Sequence, residues 1–320
     1  MKKNIRLFIP IIVIIALTWY YLFNTTSLLK CEFYSMGGIL TEIKGSGINK
    51  TQFQSMCLEI ENLYDKLEDQ FSDYRENSIV SQVNRDGYNK WVSLPDETYY
   101  VISNAINIAE KSNHYFDITV LPLVLMWKKH ARANTFPETQ EIKDTLDKIS
   151  SNYIFLNPSE KKIRFKKKGV KIDLGAIAKG YMTDLAISLM IKRGLKRALI
   201  NSGGNIVVYS AAEISEPFNL GIYNPDENGV QATIEIFNGA LVTSGNYNRY
   251  FEIKEKKYSH IIDPHTGYTS KGCHSVTIQA ETGMMADAYS TAICSSGENP
   301  PPFKLPQEIK VHQFMKGEMN

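Results

Sequence analysis

Val170-Lys171-Ile172-Asp173-Leu174-Gly175-Ala176-Ile177-Ala178-Lys179-Gly180-Tyr181 marks the point where the chain changes character. The alternation from Val170 to Leu174 reads as a strand, Gly175 and Ala176 turn the chain, and a helical pattern runs from about Ala176 to Arg193. Such a junction leaves backbone N–H groups free to face an anion and turn carbonyls free to face a cation. Gly175 and Gly180 fit neither a dinucleotide fingerprint nor a phosphate-binding P-loop. Upstream, a strand at Ile39 to Lys44 precedes helices near Gln52 to Phe71, from Asp96 to Lys111 behind Pro95, and after Pro137. Tyr153 to Leu156 and Lys161 to Lys167 follow as strands. Downstream come short strands at Ala198 to Tyr209, Phe218 to Tyr223, Ala232 to Phe237, Ala240 to Ser244, Tyr250 to Ile253, Tyr258 to Ile262 and Ser275 to Gln279. A last short helix starts near Met284. Helices early and strands late, with little alternation, indicate a mixed α+β body rather than a doubly wound sheet.

With 320 residues, 43% apolar and 22% charged, the chain is globular in composition, which excludes collagen, disorder and a polytopic membrane protein. The formal charge of +2 resides in Lys2, Lys3, Arg6 and Lys30. After Cys31 there remain 32 basic against 34 acidic residues, a net −2, so a nucleic-acid partner is not expected. Leu7 to Phe23 is apolar except for Pro10 and Thr18, and the basic residues ahead of it mark an export signal, intermediate between a cleaved peptide and an anchor. Leu28-Leu29-Lys30-Cys31 has the outline of a lipoprotein site, although Lys30 stands where a small residue is usual. An acylated Cys31, an uncleaved anchor and an ordinary cleaved signal all remain open. Residues 1–31 are accordingly read as signal or anchor and 32–320 as the folded body, held outside the cytoplasm at the bacterial cell membrane. Cys57, Cys273 and Cys294 are too scattered for a disulfide framework or a cysteine metal site, and buried thiols are expected.

The polar clusters that could carry chemistry are individually modest. Asp173 at the junction suits a cap, and Lys179 a solvated helix residue. Asp287 and Thr291 lie four apart, so on a helix their oxygens share a face and could hold one hard cation such as Mg²⁺, whose six oxygens are usually completed by carbonyls, water and phosphates. In Ser259-His260-Ile261-Ile262-Asp263-Pro264-His265-Thr266-Gly267 a strand runs into an Asp-Pro turn, and the nearby Asp263 would make His260 an oriented base. Tyr115-Phe116-Asp117 and Thr243-Ser244-Gly245-Asn246-Tyr247 complete the set.

In order along the chain these pieces resemble the ApbE-like family of FAD:protein FMN transferases. The resemblance starts at Met36-Gly37, Ser72-Asp73-Tyr74, Ser78 and Asn84, and continues through Phe116-Asp117 with Pro122-Leu123 and Trp127. It then takes in Asp173 to Tyr181 with Asp184, Asn201-Ser202-Gly203-Gly204-Asn205, Thr243-Ser244-Gly245, His260 to Pro264 with Thr266-Gly267, and Ala286-Asp287-Ala288 with Ser290-Thr291-Ala292. It covers about Tyr34 to Thr291.

The resemblance implies largely antiparallel sheets packed with helices, and an exported, membrane-attached enzyme. With Mg²⁺ it would transfer the FMN half of FAD, its substrate, onto a Thr or Ser hydroxyl of an acceptor protein, releasing AMP. It implies Asp287, Thr291, the Ala176 carbonyl and Ser290 as metal ligands. Met36, Tyr74, Tyr115, Phe116, Asp117, Asp173, Lys179 and Ile262 are implied as FAD contacts, and His260 with Asp287 as the catalytic pair, His260 taking the acceptor's proton. An FAD pyrophosphatase and a non-catalytic flavin-binding lipoprotein are the alternatives. Gly38 replaces a usual Thr. After Ala292, Ser295, Ser296, Gly297 and Pro300-Pro301-Pro302 interrupt the expected helix, leaving Leu305-Pro306 and Ile309-Lys310-Val311 as an echo of the usual strand pair and the metal helix less well buttressed.

Overall fold

The computed structural model describes residues 28–224, 227, 229–246 and 249–317. Most of the proposed leader lies outside these residues. Among the described residues no helix is long and apolar enough to cross a membrane.

Strands β1 (Leu29–Ser35), β2 (Ile39–Ser46), β6 (Arg197–Ser202), β7 (Asn205–Ser210), β10 (Gly239–Gly245), β13 (Ser275–Ala280) and β14 (Lys310–Met315) form a seven-stranded sheet in the order β1-β2-β6-β7-β10-β13-β14. Every neighbouring pair is antiparallel. Smaller antiparallel sheets join β3 (Val92–Ser93), β5 (Lys162–Phe165) and β4 (Ile154–Asn157), then β8 (Phe218–Asn224) with β9 (Gly229–Ile236), and β11 (Tyr250–Ile253) with β12 (Lys256–Ser259).

Alternation along the strands sends Ile43, Ala198, Ile200, Val207, Val242 and Ile278 to one face of the large sheet. They pack on α1 (Lys50–Phe71), α6 (Ala178–Lys192) and α7 (Gly283–Ser296). Leu199, Val208 and Leu241 point the other way, against Phe218, Leu220 and Ile222 of β8. A third cluster joins α4 (Leu121–Ala133) and α5 (Thr139–Leu146) to β11 through Leu123, Met126, Trp127, Phe251 and Ile262, and the Trp127 indole N–H donates to the Gly267 carbonyl at 2.9 Å. Helices α2 (Ile79–Asp86) and α3 (Asp96–Lys111) complete the body.

Several expectations are corrected. Val170 to Leu174 is extended but joins no sheet: the Ile172 amide and carbonyl pair with the Asn84 side chain, and the Asp173 amide donates to the Ile118 carbonyl. The single strand expected from Ala198 to Tyr209 is a hairpin, because Gly203 and Gly204 turn the chain at φ of +58° and +90°. Strand β1 takes in Leu29 to Cys31, the last residues of the segment read as leader. The cysteines are not free thiols, since Cys31 pairs with Cys57 and Cys273 with Cys294; β1 lies over α1, and the loop before β13 over α7, contacts that spacing along the chain does not reveal. The C-terminal buttress is intact, with α7 running through Ser296 to a left-handed Gly297 cap and β14 adding to β13.

Candidate active site

A cavity of about 480 Å³ opens between the ends of β2 and β10, the start of α6 and the Asp287, Thr291 and Ser295 side of α7. It gathers Tyr115, Phe116, Asp117, Asp173, Ala176, Lys179, His260, Ile262, Asp287 and Thr291 from segments far apart in sequence. Three expected residues do not line it. The Met36 amide donates to Glu68 at 3.0 Å and the Tyr74 hydroxyl bonds the other Glu68 oxygen, so both are tied to the end of α1 beside Ile39 and Leu40, which do line the cavity. Ser290 is fully buried, with its hydroxyl 2.7 Å from that of Ser244 and donating to the Asp287 carbonyl at 3.0 Å.

The residues expected to hold a cation come together where α6 meets α7. The Asp173 carboxylate accepts from the Gly175 amide at 2.7 Å, closing the turn into α6. The Gly180 amide, four residues beyond Ala176, donates to the Asp287 carboxylate at 3.2 Å instead of to the Ala176 carbonyl. Among the described residues none donates to that carbonyl. Asp287 is 2% exposed, and the Lys179 ammonium reaches both its oxygens at 3.1 Å and the Gly175 carbonyl at 2.6 Å. A buried carboxylate, a free carbonyl and the Thr291 hydroxyl facing one cavity are hard oxygen donors, and the lysine already shows that positive charge is required there. These residues fit a Mg²⁺ ion that takes its remaining oxygens from water or phosphate. No group of three His, Cys, Asp or Glu side chains that could hold a metal occurs among the described residues.

His260 is oriented otherwise than expected. Its Nδ1 donates to the Arg249 carbonyl at 2.9 Å, while the Asp263 carboxylate accepts from the His265 amide and the Thr266 hydroxyl within its own turn. A carbonyl can only accept, so Nδ1 carries the proton and Nε2 keeps the lone pair a base needs. Burial pushes the imidazole down to about 4, and the nearby Lys179 and Lys128 charges act in the same direction.

On another wall Asp117 is 5% exposed and fully engaged, accepting from the Thr119 amide and hydroxyl at 2.8 and 2.6 Å and the Ser151 amide at 2.9 Å, with His114 at 3.3 Å. Burial alone would raise its carboxyl; His114, Thr119 and the backbone donors together hold it below the usual range. Tyr115 stacks on His265 with ring centres 4.3 Å apart, presenting an aromatic wall. The reading of the sequence missed Arg249, which has no motif of its own, and gave no role to Asn205 and Ser244, although both lie in stretches it singled out.

The sequence profile of the ApbE family matches residues 39–301. This chain belongs to the ApbE family. An FAD:protein FMN transferase of Vibrio cholerae serotype O1 is 31% identical over 252 residues, which are 77% of this chain and 74% of that relative. One from Klebsiella pneumoniae is 26% identical over 247 residues, 76% of each. Among ApbE structures, the ApbE protein of Thermotoga maritima superposes with a TM-score of 0.78 at 31% identity over 85% of this chain and 88% of that one. The flavin transferase ApbE from Vibrio cholerae, at 24% identity, shares the fold with a TM-score of 0.72 over 84% and 87%. The α+β architecture with largely antiparallel sheets is therefore the ApbE fold.

Proposed function

We propose that this protein is an FAD:protein FMN transferase, which moves the FMN half of FAD onto a Thr or Ser hydroxyl of an acceptor protein. The observation that carries the proposal is the convergence of a neutral, oriented His260 and a buried Asp287 on one cavity, in a chain whose relatives bear that name. Aromatic Tyr115 and Phe116 suit a flat ring, and the Lys179 ammonium suits a pyrophosphate.

In this reading His260 Nε2 accepts the acceptor's hydroxyl proton as that oxygen bonds the FMN phosphorus. The phosphorus–oxygen bond to the adenylate breaks, and AMP leaves with the electron pair. Asp287, Thr291 and the Ala176 carbonyl would hold Mg²⁺. When bound, that ion neutralises the pyrophosphate and the charge growing on the leaving phosphate. Asp287 would exchange Lys179 for the ion, freeing the ammonium to turn to phosphate oxygens. Phosphate charge near His260 opposes the depression of its pKa, so the base strengthens as substrate binds.

We place the folded body outside the cytoplasm, attached through its leader to the bacterial cell membrane, where an exported or membrane redox protein would be the acceptor. The basic-then-apolar leader and two disulfides support an oxidising compartment. With its sulfur bound to Cys57, Cys31 is better suited to a structural role than to acylation, which favours an uncleaved anchor as the means of attachment.

Incubation with FAD and Mg²⁺, with and without an exported redox protein bearing an accessible Thr, tests the proposal. Flavin fixed to the acceptor supports it. Free FMN plus AMP regardless of acceptor would make the protein a pyrophosphatase, and unchanged FAD a flavin-binding protein.

A further inference from the structure

We infer that Asp184 is a positioning residue for the cation site, acting through the first turn of α7. The inference rests on the reading in which Asp287 holds a divalent cation. The Asp184 carboxylate, on α6, accepts from the Gly283 amide at 2.6 Å and the Met284 amide at 2.9 Å. These are the first two amides of α7 and have no acceptor within their own helix. The third, Met285, is capped by the Thr282 hydroxyl at 3.3 Å.

One turn further along α7, Asp287 accepts the Gly180 amide at the start of α6. Each helix thus places a carboxylate on the beginning of the other, and the two bonds run in opposite directions across the same crossing. The crossing has no slack. A Cβ on Gly180 would stand 2.1 Å from the Gly283 carbonyl oxygen, and one on Gly283 2.7 Å from the Gly180 carbonyl oxygen and 2.7 Å from the Thr183 hydroxyl. Asp184 does not line the cavity; apart from the repulsion between its carboxylate and that of Asp287, it acts on the site through the α7 amides it holds. What it fixes is the position of Asp287 relative to Ala176. A Mg²⁺ ion requires near-octahedral oxygens at short distances and tolerates little displacement between two of its ligands. Groups that orient ligands from behind typically account for 10- to 100-fold in metal affinity.

The test uses Asp184→Ala and Asp184→Asn in the full chain, with three readouts: FAD affinity in chelator by flavin fluorescence, the Mg²⁺ concentration giving half of the Mg²⁺-induced rise in thermal midpoint with FAD present, and the Mg²⁺ concentration giving half-maximal turnover. Asp184→Ala is expected to leave metal-free FAD affinity within about threefold of the parent and to raise both Mg²⁺ concentrations roughly tenfold or more. Asp184→Asn, which keeps one carbonyl acceptor, should fall between, and it decides the question alone should the alanine variant not fold. A parent-like Mg²⁺ requirement in the variants, or a loss of metal-free FAD binding with no change in Mg²⁺ requirement, would overturn the inference and leave Asp184 an ordinary cap. A parent enzyme indifferent to Mg²⁺ would instead overturn the cation reading itself, and the inference with it.

Discussion

At the scale of single residues, His260 is set by what touches it rather than by what neighbours it in sequence. The backbone carbonyl of Arg249, eleven residues earlier, fixes its tautomer, and burial keeps it neutral. The sequence alone suggests a limb of activity near the ordinary imidazole pKa of about 6.5. With the free imidazole held down to about 4, the limb in kcat/KM for FAD, which reports the free enzyme, belongs near pH 4: it should be flat through neutrality and fall only as pH drops toward that value. His260→Asn should slow single-turnover transfer by roughly a hundredfold or more, remove that limb, and change FAD affinity little. Asp287→Ala removes the carboxylate that opposes Lys179 and would hold the ion. It should cost several kcal/mol of transition-state stabilisation, on the order of a hundredfold or more in rate, read as kcat at saturating Mg²⁺. His260, Asp287, Thr291 and Lys179, each singled out in the sequence, line one cavity. Arg249 carries no such signal: its carbonyl is a group every residue possesses, and its charge, which also lowers the His260 pKa, comes near the imidazole only through the fold.

At the scale of elements, the site depends on how closely two helices cross. Gly180 and Gly283 were legible only as glycines within helical patterns, and their use is seen when each meets the other's carbonyl. Gly180→Ala would push a methyl group onto backbone that cannot swing aside, with an expected destabilisation of about 1–3 kcal/mol and a lower thermal midpoint, accompanied by a higher Mg²⁺ requirement as Asp287 is displaced. Elements announced by local chemistry were read well. Helix α3 has the boundaries expected from Pro95 and its apolar period, and α1 starts just before the expected residue behind an Asn49–Gln52 capping box. The segment before Gly175 was misread because its alternation is real while its bonding partners, Asn84 and the Ile118 carbonyl, lie outside any ladder. Strand β1 was hidden behind the apolar leader, and β14 showed only its start, as the Ile309 to Val311 echo after the prolines.

Across the whole molecule, two covalent ties bracket the catalytic frame. Cys31–Cys57 fastens the edge strand β1 to α1, and Cys273–Cys294 fastens the end of α7, one turn beyond Thr291, to the loop that enters β13. They close loops of 26 and 21 residues, for which about 3 kcal/mol each is expected. The Cys273→Ala/Cys294→Ala variant should therefore melt several degrees lower and lose activity beyond its loss of stability at assay temperature, whereas Cys31→Ala/Cys57→Ala should lose stability with turnover retained. Calorimetry paired with transfer assays checks both. Fold class was legible because the order of periodicities fixes how layers can pack. The disulfides were not, since pairing depends on tertiary approach. The central claim is that this cavity joins FMN to an acceptor hydroxyl and expels AMP. Its most direct test is to mix the protein with FAD, Mg²⁺ and a Thr-bearing exported redox protein, then measure the intact mass of the acceptor and the AMP released. The account predicts one covalently attached FMN per AMP, abolished by chelator and by His260→Asn. An acceptor of unchanged mass while AMP and free FMN accumulate would contradict it.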